Sequence, residues 1–194
     1  MATNVFGYIG RFVELTEEER ALLRQHIQIM TCAPRQVLTG IGELEQHTYF
    51  VERGLVRKFF YRGQEDVTVQ LATEGDIISS SVSFLSGVPS EFVVETMEPC
   101  TLAFITKSAL ETLYETSLTF EKLGRLIILE WMLTKERADT HRLISSPKER
   151  FLQFLEEQPA LMNRVPQKYL ASFLDIKPET FSRFKKQLAL GGVN

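Results

Sequence analysis

The stretch YLASFLDIKPETFSRFKKQL, Tyr169 to Leu188, decides how the rest of the chain is read. It holds two short helical patterns broken at Asp175-Ile176. The first runs from Pro166 to about Leu174, with Leu170, Phe173 and Leu174 three and four residues apart and therefore on one face. Asp175 tolerates the left-handed backbone that a tight helix–helix turn requires, and Ile176 is placed to plug the gap. Pro178 suits the first turn of the second helix. In that helix Phe181, Phe184 and Leu188 form an inner face. Glu179, Ser182, Arg183 and Lys186 form an outer one. This division fits a recognition helix in a helix-turn-helix. Arg183 can fork onto guanine, and Glu179 can accept from a cytosine amino group. Thr180 and Ser182 lie beside them, and Lys168, Lys177, Lys185 and Lys186 are suited to phosphates. The competing reading is a helical hairpin whose Glu179 and Arg183 pair with each other at i, i+4.

Upstream, Ser145-Ser146-Pro147 is a break in which Ser146 can cap the helix that follows. That helix, KERFLQFLEEQPAL, carries Phe151, Leu152, Phe154 and Leu155 on a helical pattern. Asn163-Arg164-Val165-Pro166 breaks the chain again. Residues 145–194 hold eight Lys and Arg against five acidic residues, a surplus of +3; with a total of −3, the remainder carries −6. A basic terminal piece on an acidic body suits contact with nucleic acid.

Before the break, residues 117–143 predict one long helix. Its middle, Leu126 to Leu133, is apolar almost all round. A surface helix needs only one apolar stripe, and the preceding region is too small to enclose this one. A contact between identical subunits is therefore expected. From about 27 to 106 the chain has short β-branched and aromatic runs punctuated by Gly40, Gly42, Gly54, Gly63, Gly75 and Gly87, the pattern of an antiparallel barrel or sandwich. Short helices are predicted at 14–26, where Thr16 and Glu19 make a capping box, and at 107–115.

The composition, 44% hydrophobic and 24% charged over 194 residues, is that of a folded soluble protein. No run of about 18 apolar residues predicts a membrane span, and the opening MATNVFGYIGRF lacks the marks of a signal peptide. A cytoplasmic protein with no membrane partner is expected. Cys32 and Cys100 have no metal-ligand spacing and read as reduced, buried thiols. Three scattered histidines give no metal cluster, so neither an enzyme nor a cofactor is expected.

The order of these elements, with VERGLVRKFF, the EGDII turn and IKPETFSRFKKQL, resembles the Crp/Fnr family of transcription regulators over nearly the whole chain. The resemblance implies an α+β protein in three parts. An N-terminal antiparallel β-roll of the cyclic nucleotide-binding type spans 1–116, a long dimerisation helix 117–144, and a helix-turn-helix DNA-binding domain 145–194. It implies double-stranded DNA as partner, homodimerisation through 117–144 and RNA polymerase as a further contact. Glu179 and Arg183 are the implied base readers. Pro178 replaces a third reader, an arginine in the family, and the six residues after Leu188 are too few for the family's β-hairpin wing.

In the family a phosphate-binding segment begins Gly-Asp, continues through Gly-Glu and ends Arg-Ser. Here GDIISSSVSFLSGVPSEF (75–92) keeps Gly75-Asp76, places Ser79-Ser80 at the Gly-Glu position and Ser90-Glu91 at the Arg-Ser position, and leaves no cation between Gly75 and Thr106. A cyclic phosphate needs an arginine and surrounding donors, so cAMP is not expected to bind. Ser79, Ser80, Ser81, Ser90 and Glu91 are the candidate lining of a pocket for another small-molecule effector, or a surface loop without one. The alternative function is an interaction or ligand-sensing module on this fold that has lost specific DNA binding.

Overall fold

The computed structural model describes residues 3–189. The expectation of a missing wing rests on the tail beyond Ala189 and lies outside the described residues. Two compact units are formed: residues up to 60 with 70–131, and 61–69 with 132–194.

The first unit opens with α1 (Thr3–Ile9) and α2 (Glu17–His26). The capping box expected at α2 is present. Thr16 Oγ1 accepts the Glu19 N–H at 3.2 Å, and the Glu19 carboxylate accepts the Thr16 N–H at 3.0 Å. Helix α1 has no propensity signal in the sequence. Tertiary contact holds it, because Val5, Tyr8 and Ile9 are buried and the Glu52 carboxylate accepts the backbone N–H groups of Asn4 and Val5.

Eight strands follow: β1 (Gln28–Cys32), β2 (Val37–Thr39), β3 (His47–Arg53), β4 (Val56–Arg62), β5 (Glu65–Ala72), β6 (Ile77–Ile78), β7 (Val93–Thr96) and β8 (Cys100–Thr106), with α3 (Ser81–Ser86) between β6 and β7. They form two four-stranded sheets, ordered β1-β8-β3-β6 and β2-β7-β4-β5. The pairings β1·β8, β3·β8, β3·β6, β2·β7 and β4·β7 are antiparallel.

The middle of the β1-β8-β3-β6 sheet is buried on both faces, which explains the uninterrupted buried run Thr48–Val51 in β3. Phe50, Ile77, Ala103 and Ile105 pack among α1, α2, α4 (Lys107–Thr116) and the start of α5 (Leu118–Ile144). Tyr49, Val51, Ile78, Cys100 and Leu102 turn the other way, toward Val56, Ala72 and Val94. Gly124 brings α5 close to α4, since a Cβ there would lie 2.2 Å from the Tyr114 hydroxyl.

The second unit holds residues 61–69, which include most of β5, with the rest of α5, then α6 (Pro147–Glu157), α7 (Leu161–Arg164), α8 (Gln167–Phe173) and α9 (Pro178–Ala189). Ser146 caps α6 in a second capping box with Glu149. Phe151 is fully buried and meets Phe181 edge-on at 5.2 Å and Phe184 at 5.3 Å. Within the same unit the Ser172 hydroxyl accepts the Thr68 N–H at 2.9 Å and donates to the Asp66 carbonyl at 3.2 Å.

Candidate functional site

The chain ends, among the described residues, in two helices, α8 and α9, separated by a turn at Asp175, where the sequence predicts a helix pair and its break. Asp175 adopts φ 52°, the left-handed turn between α8 and α9. Leu170 and Leu174 from α8 and Phe181 and Phe184 from α9 are buried. Leu188, expected on the inner face, is 39% exposed, and Phe184 is the last buried side chain of α9 among the described residues. Glu179, Arg183 and Lys186 are exposed on α9, Thr180 and Ser182 half-buried, and Lys177 and Lys168 exposed. The 12-residue helix carries its acid in the first turn and Lys186 in the last, each complementing the helix dipole. No ion pair joins Glu179 to Arg183 among the described residues. The Arg183 guanidinium instead lies 5.5 Å from the Phe184 ring, and the Lys168 ammonium 4.4 Å from the Tyr169 ring.

Sequence reasoning missed the residue that fastens this turn. Arg150, in the first turns of α6, donates from Nε to the Leu174 carbonyl at 2.8 Å and from Nη2 to the Asp175 carbonyl at 2.9 Å. Its Nη1 reaches the carbonyls of Ser145 at 2.6 Å and Arg142 at 3.3 Å. One planar fork thus ties the end of α5 to the turn before α9. An arginine in a capping-box helix carries no sequence signal for this role, because its carbonyl partners come from distant backbone.

The segment 75–92 turns out to be folded in upon itself. Ser79, Ser80, Ser83 and Ser90 are all buried, Ser81 is half-buried and Glu91 exposed. The Ser90 hydroxyl lies 2.7 Å from both the Ser80 hydroxyl and the Phe92 carbonyl. Glu45, only 2% exposed, enters the same cluster from the loop before β3. Its carboxylate accepts the Thr39 hydroxyl at 2.6 Å, the His47 N–H at 3.1 Å and the Ser80 N–H at 3.2 Å, and its own N–H donates to Ser83 Oγ at 2.9 Å. A carboxylate of this chain therefore takes up the Thr39 hydroxyl and the Ser80 N–H within the folded segment.

The segment also has a cation that a linear reading cannot supply. Lys58 of β4 donates to the Ser79 carbonyl at 3.1 Å and lies 5.6 Å from the Phe92 ring. Elsewhere in the unit, an apolar cavity of about 80 Å³ is lined by Val5, Phe50, Ile105, Leu113 and Trp131 among others, with no charged group in its wall. Among the described residues no group of three or more His, Cys, Asp and Glu is placed to hold a metal ion, and no helix is long and apolar enough to cross a membrane.

Residues 29–117 match the family described as the cyclic nucleotide-binding domain. No curated protein sequence matches the chain. Among solved structures it is similar to the c-di-GMP responsive global regulator CLP of Xanthomonas campestris, with 19% identity, 91% of this chain and 93% of that one covered, and a TM-score of 0.68. It is similar to FixK2 of Bradyrhizobium japonicum, at 18% identity, 86% of each chain and a TM-score of 0.73. It also resembles the catabolite activator protein of Thermus thermophilus, at 22% identity, 94% and 87% coverage and a TM-score of 0.55. At these identities the likeness establishes the fold alone: an α+β chain with an antiparallel β-roll, a long helix and C-terminal helices, as in those structures.

Proposed function

We propose that the protein is a dimeric, DNA-binding transcription regulator of the Crp/Fnr type that does not respond to cAMP. The observation that carries this reading is the α8–α9 pair. Its left-handed Asp175 turn and buried Phe181 and Phe184 leave Glu179 and Arg183 exposed and unpaired with each other on one face. In this reading α9 enters the major groove. Glu179 and Arg183 read bases with Thr180 and Ser182 beside them, and Lys168, Lys177 and Lys186 hold phosphates.

Dimerisation through 117–144 is supported by Ile128, Leu129, Met132 and Leu133, which are 41–57% exposed on α5. Such side chains on one helix favour burial against a second copy, and two recognition helices about 34 Å apart would then meet successive major grooves. Indifference to cAMP is supported by Glu45, whose carboxylate occupies the Ser80 N–H and would repel a phosphate. Ser79, Ser80, Ser81, Ser90 and Glu91 remain the residues proposed for any other effector, with Lys58 added from β4.

The test selects DNA sequences on the purified protein and compares Arg183→Ala on the enriched site. Loss of the fork should cost about 1–3 kcal/mol and relax one base position, while Lys186→Ala should weaken all sequences alike and lower the salt slope by about 1. Failure to enrich any sequence would favour the interaction module instead, and equal affinity of wild type and Arg183→Ala would remove Arg183 from the readers.

A further inference from the structure

Cys32 and Cys100, remote in sequence, are direct partners across the antiparallel β1–β8 ladder. Both thiols are free and buried, and both belong to the same interior cluster with Val51, Val94 and Leu102, so they project to the same side of the sheet. Residues directly opposite each other in such a ladder have Cα atoms about 4.5–5.5 Å apart. That range falls within the roughly 4.4–6.8 Å spanned by disulfides.

The surroundings leave little freedom. The Cys100 thiol reaches the carbonyls of Leu55 at 3.4 Å and Glu98 at 3.2 Å. Gly54, at φ +106°, packs so closely that a Cβ there would lie 2.6 Å from Cys100 Sγ. The Cys100 sulfur is thus wedged beneath the turn between β3 and β4, with Cys32 across the ladder. Burial pushes both thiols up from their ordinary range, which makes thiolate scarce and reaction with external reagents slow.

We propose that Cys32 and Cys100 form an oxidisable pair, which a peroxide converts to an intrachain disulfide linking β1 to β8. One sulfur attacks the peroxide oxygen, giving a sulfenic acid and water. The second sulfur then displaces the sulfenic oxygen as water, and the S–S bond forms. The two thiols give up two electrons and two protons, and hydrogen peroxide is reduced to two waters. In the oxidised form Cys100 no longer has a proton to offer the Leu55 carbonyl, so the effect reaches the Gly54–Leu55 turn. The crossing partner makes the disulfide, rather than a sulfinic acid, the favoured product.

The full chain, reduced and then freed of reductant, is incubated with hydrogen peroxide. Remaining thiols are alkylated under denaturing conditions, and the protein is digested without reduction for mass spectrometry. The expected result is loss of two hydrogens per chain, one cross-linked pair of peptides containing Cys32 and Cys100, migration as a single chain on a non-reducing gel, and reversal by dithiothreitol. With Cys32→Ser the cross-linked pair is absent and Cys100 carries sulfinic acid or stays a thiol. The proposal is overturned if wild-type thiols remain fully alkylatable, if each cysteine is oxidised separately to sulfinic acid, or if the disulfide joins two chains. The wild-type peptide map decides the matter even if the serine variant does not fold.

Discussion

Replacing Arg150 by alanine removes the fork that joins the end of α5 to the α8–α9 turn. Four carbonyls lose a partner: Leu174, Asp175, Ser145 and Arg142. A hydrogen bond from a charged donor contributes roughly 1.5–3 kcal/mol when well formed. Arg150 is half-buried and Asp175 exposed, so water replaces part of what is lost. The bonds to Leu174 and Ser145 are the better shielded and account for about 1 kcal/mol each. The bond to Asp175, the longer one to Arg142 and the lost cation near two helix C-termini together add about another 1 kcal/mol. The sum is about 3 kcal/mol, or roughly a hundredfold in the opening equilibrium of α8 and α9.

Amide hydrogen exchange reads this directly. Peptides covering 167–189 in Arg150→Ala should lose about two orders of magnitude of protection, whereas peptides in β3 and β8 should not change. Arg150→Lys keeps the charge but cannot fork, and should recover only about a third of the loss. Protection within threefold of wild type in the alanine variant, or full recovery with lysine, would refute the role given to the guanidinium.

Two further outcomes follow from the same reasoning. Glu45→Ala leaves the Thr39 hydroxyl and the Ser80 and His47 N–H groups without their acceptor in a buried place. The cost should be about 3 kcal/mol in urea unfolding, and a loss under about 0.5 kcal/mol would contradict the arrangement. Stability should also fall on acidification. The Thr16 N–H lowers the Glu19 carboxyl pKa, and the Ser146 N–H does the same to Glu149. Groups with depressed folded-state pKa values stabilise above their unfolded value and lose that contribution as pH falls through the folded one. The acid limb of a pH–stability curve should therefore be shallower in Glu149→Gln than in wild type, and parallel limbs would count against the cap.

Local chemistry made much of the chain legible. Thr16 with Glu19, and Ser146 before Pro147, announce helix starts because a cap is complete within a few residues of sequence, while the Glu149 half of the second box emerged only in the structure. Asp175 is legible as a left-handed turn, and Phe181 and Phe184 as an inner face, because helix periodicity is a local property. Helix α3 was not legible in a serine-rich segment, nor was α1, which depends on Glu52. Leu188 was misplaced because periodicity tells which face a residue shares and not how far the neighbouring core extends.

The sequence by itself determined the order of the main elements, the two helix starts at Thr16 and Ser146, the Asp175 turn and the face of α9 up to Phe184, since each depends on residues within a turn or two of one another. Only the tertiary structure decided which groups meet across the fold. It put Glu45 on Ser80, Lys58 on Ser79, Arg150 on the turn before α9 and Cys32 opposite Cys100. Those encounters depend on strand register and helix packing. A one-residue slip of β1 against β8 would turn one cysteine away from the other, and nothing within either strand alone excludes it.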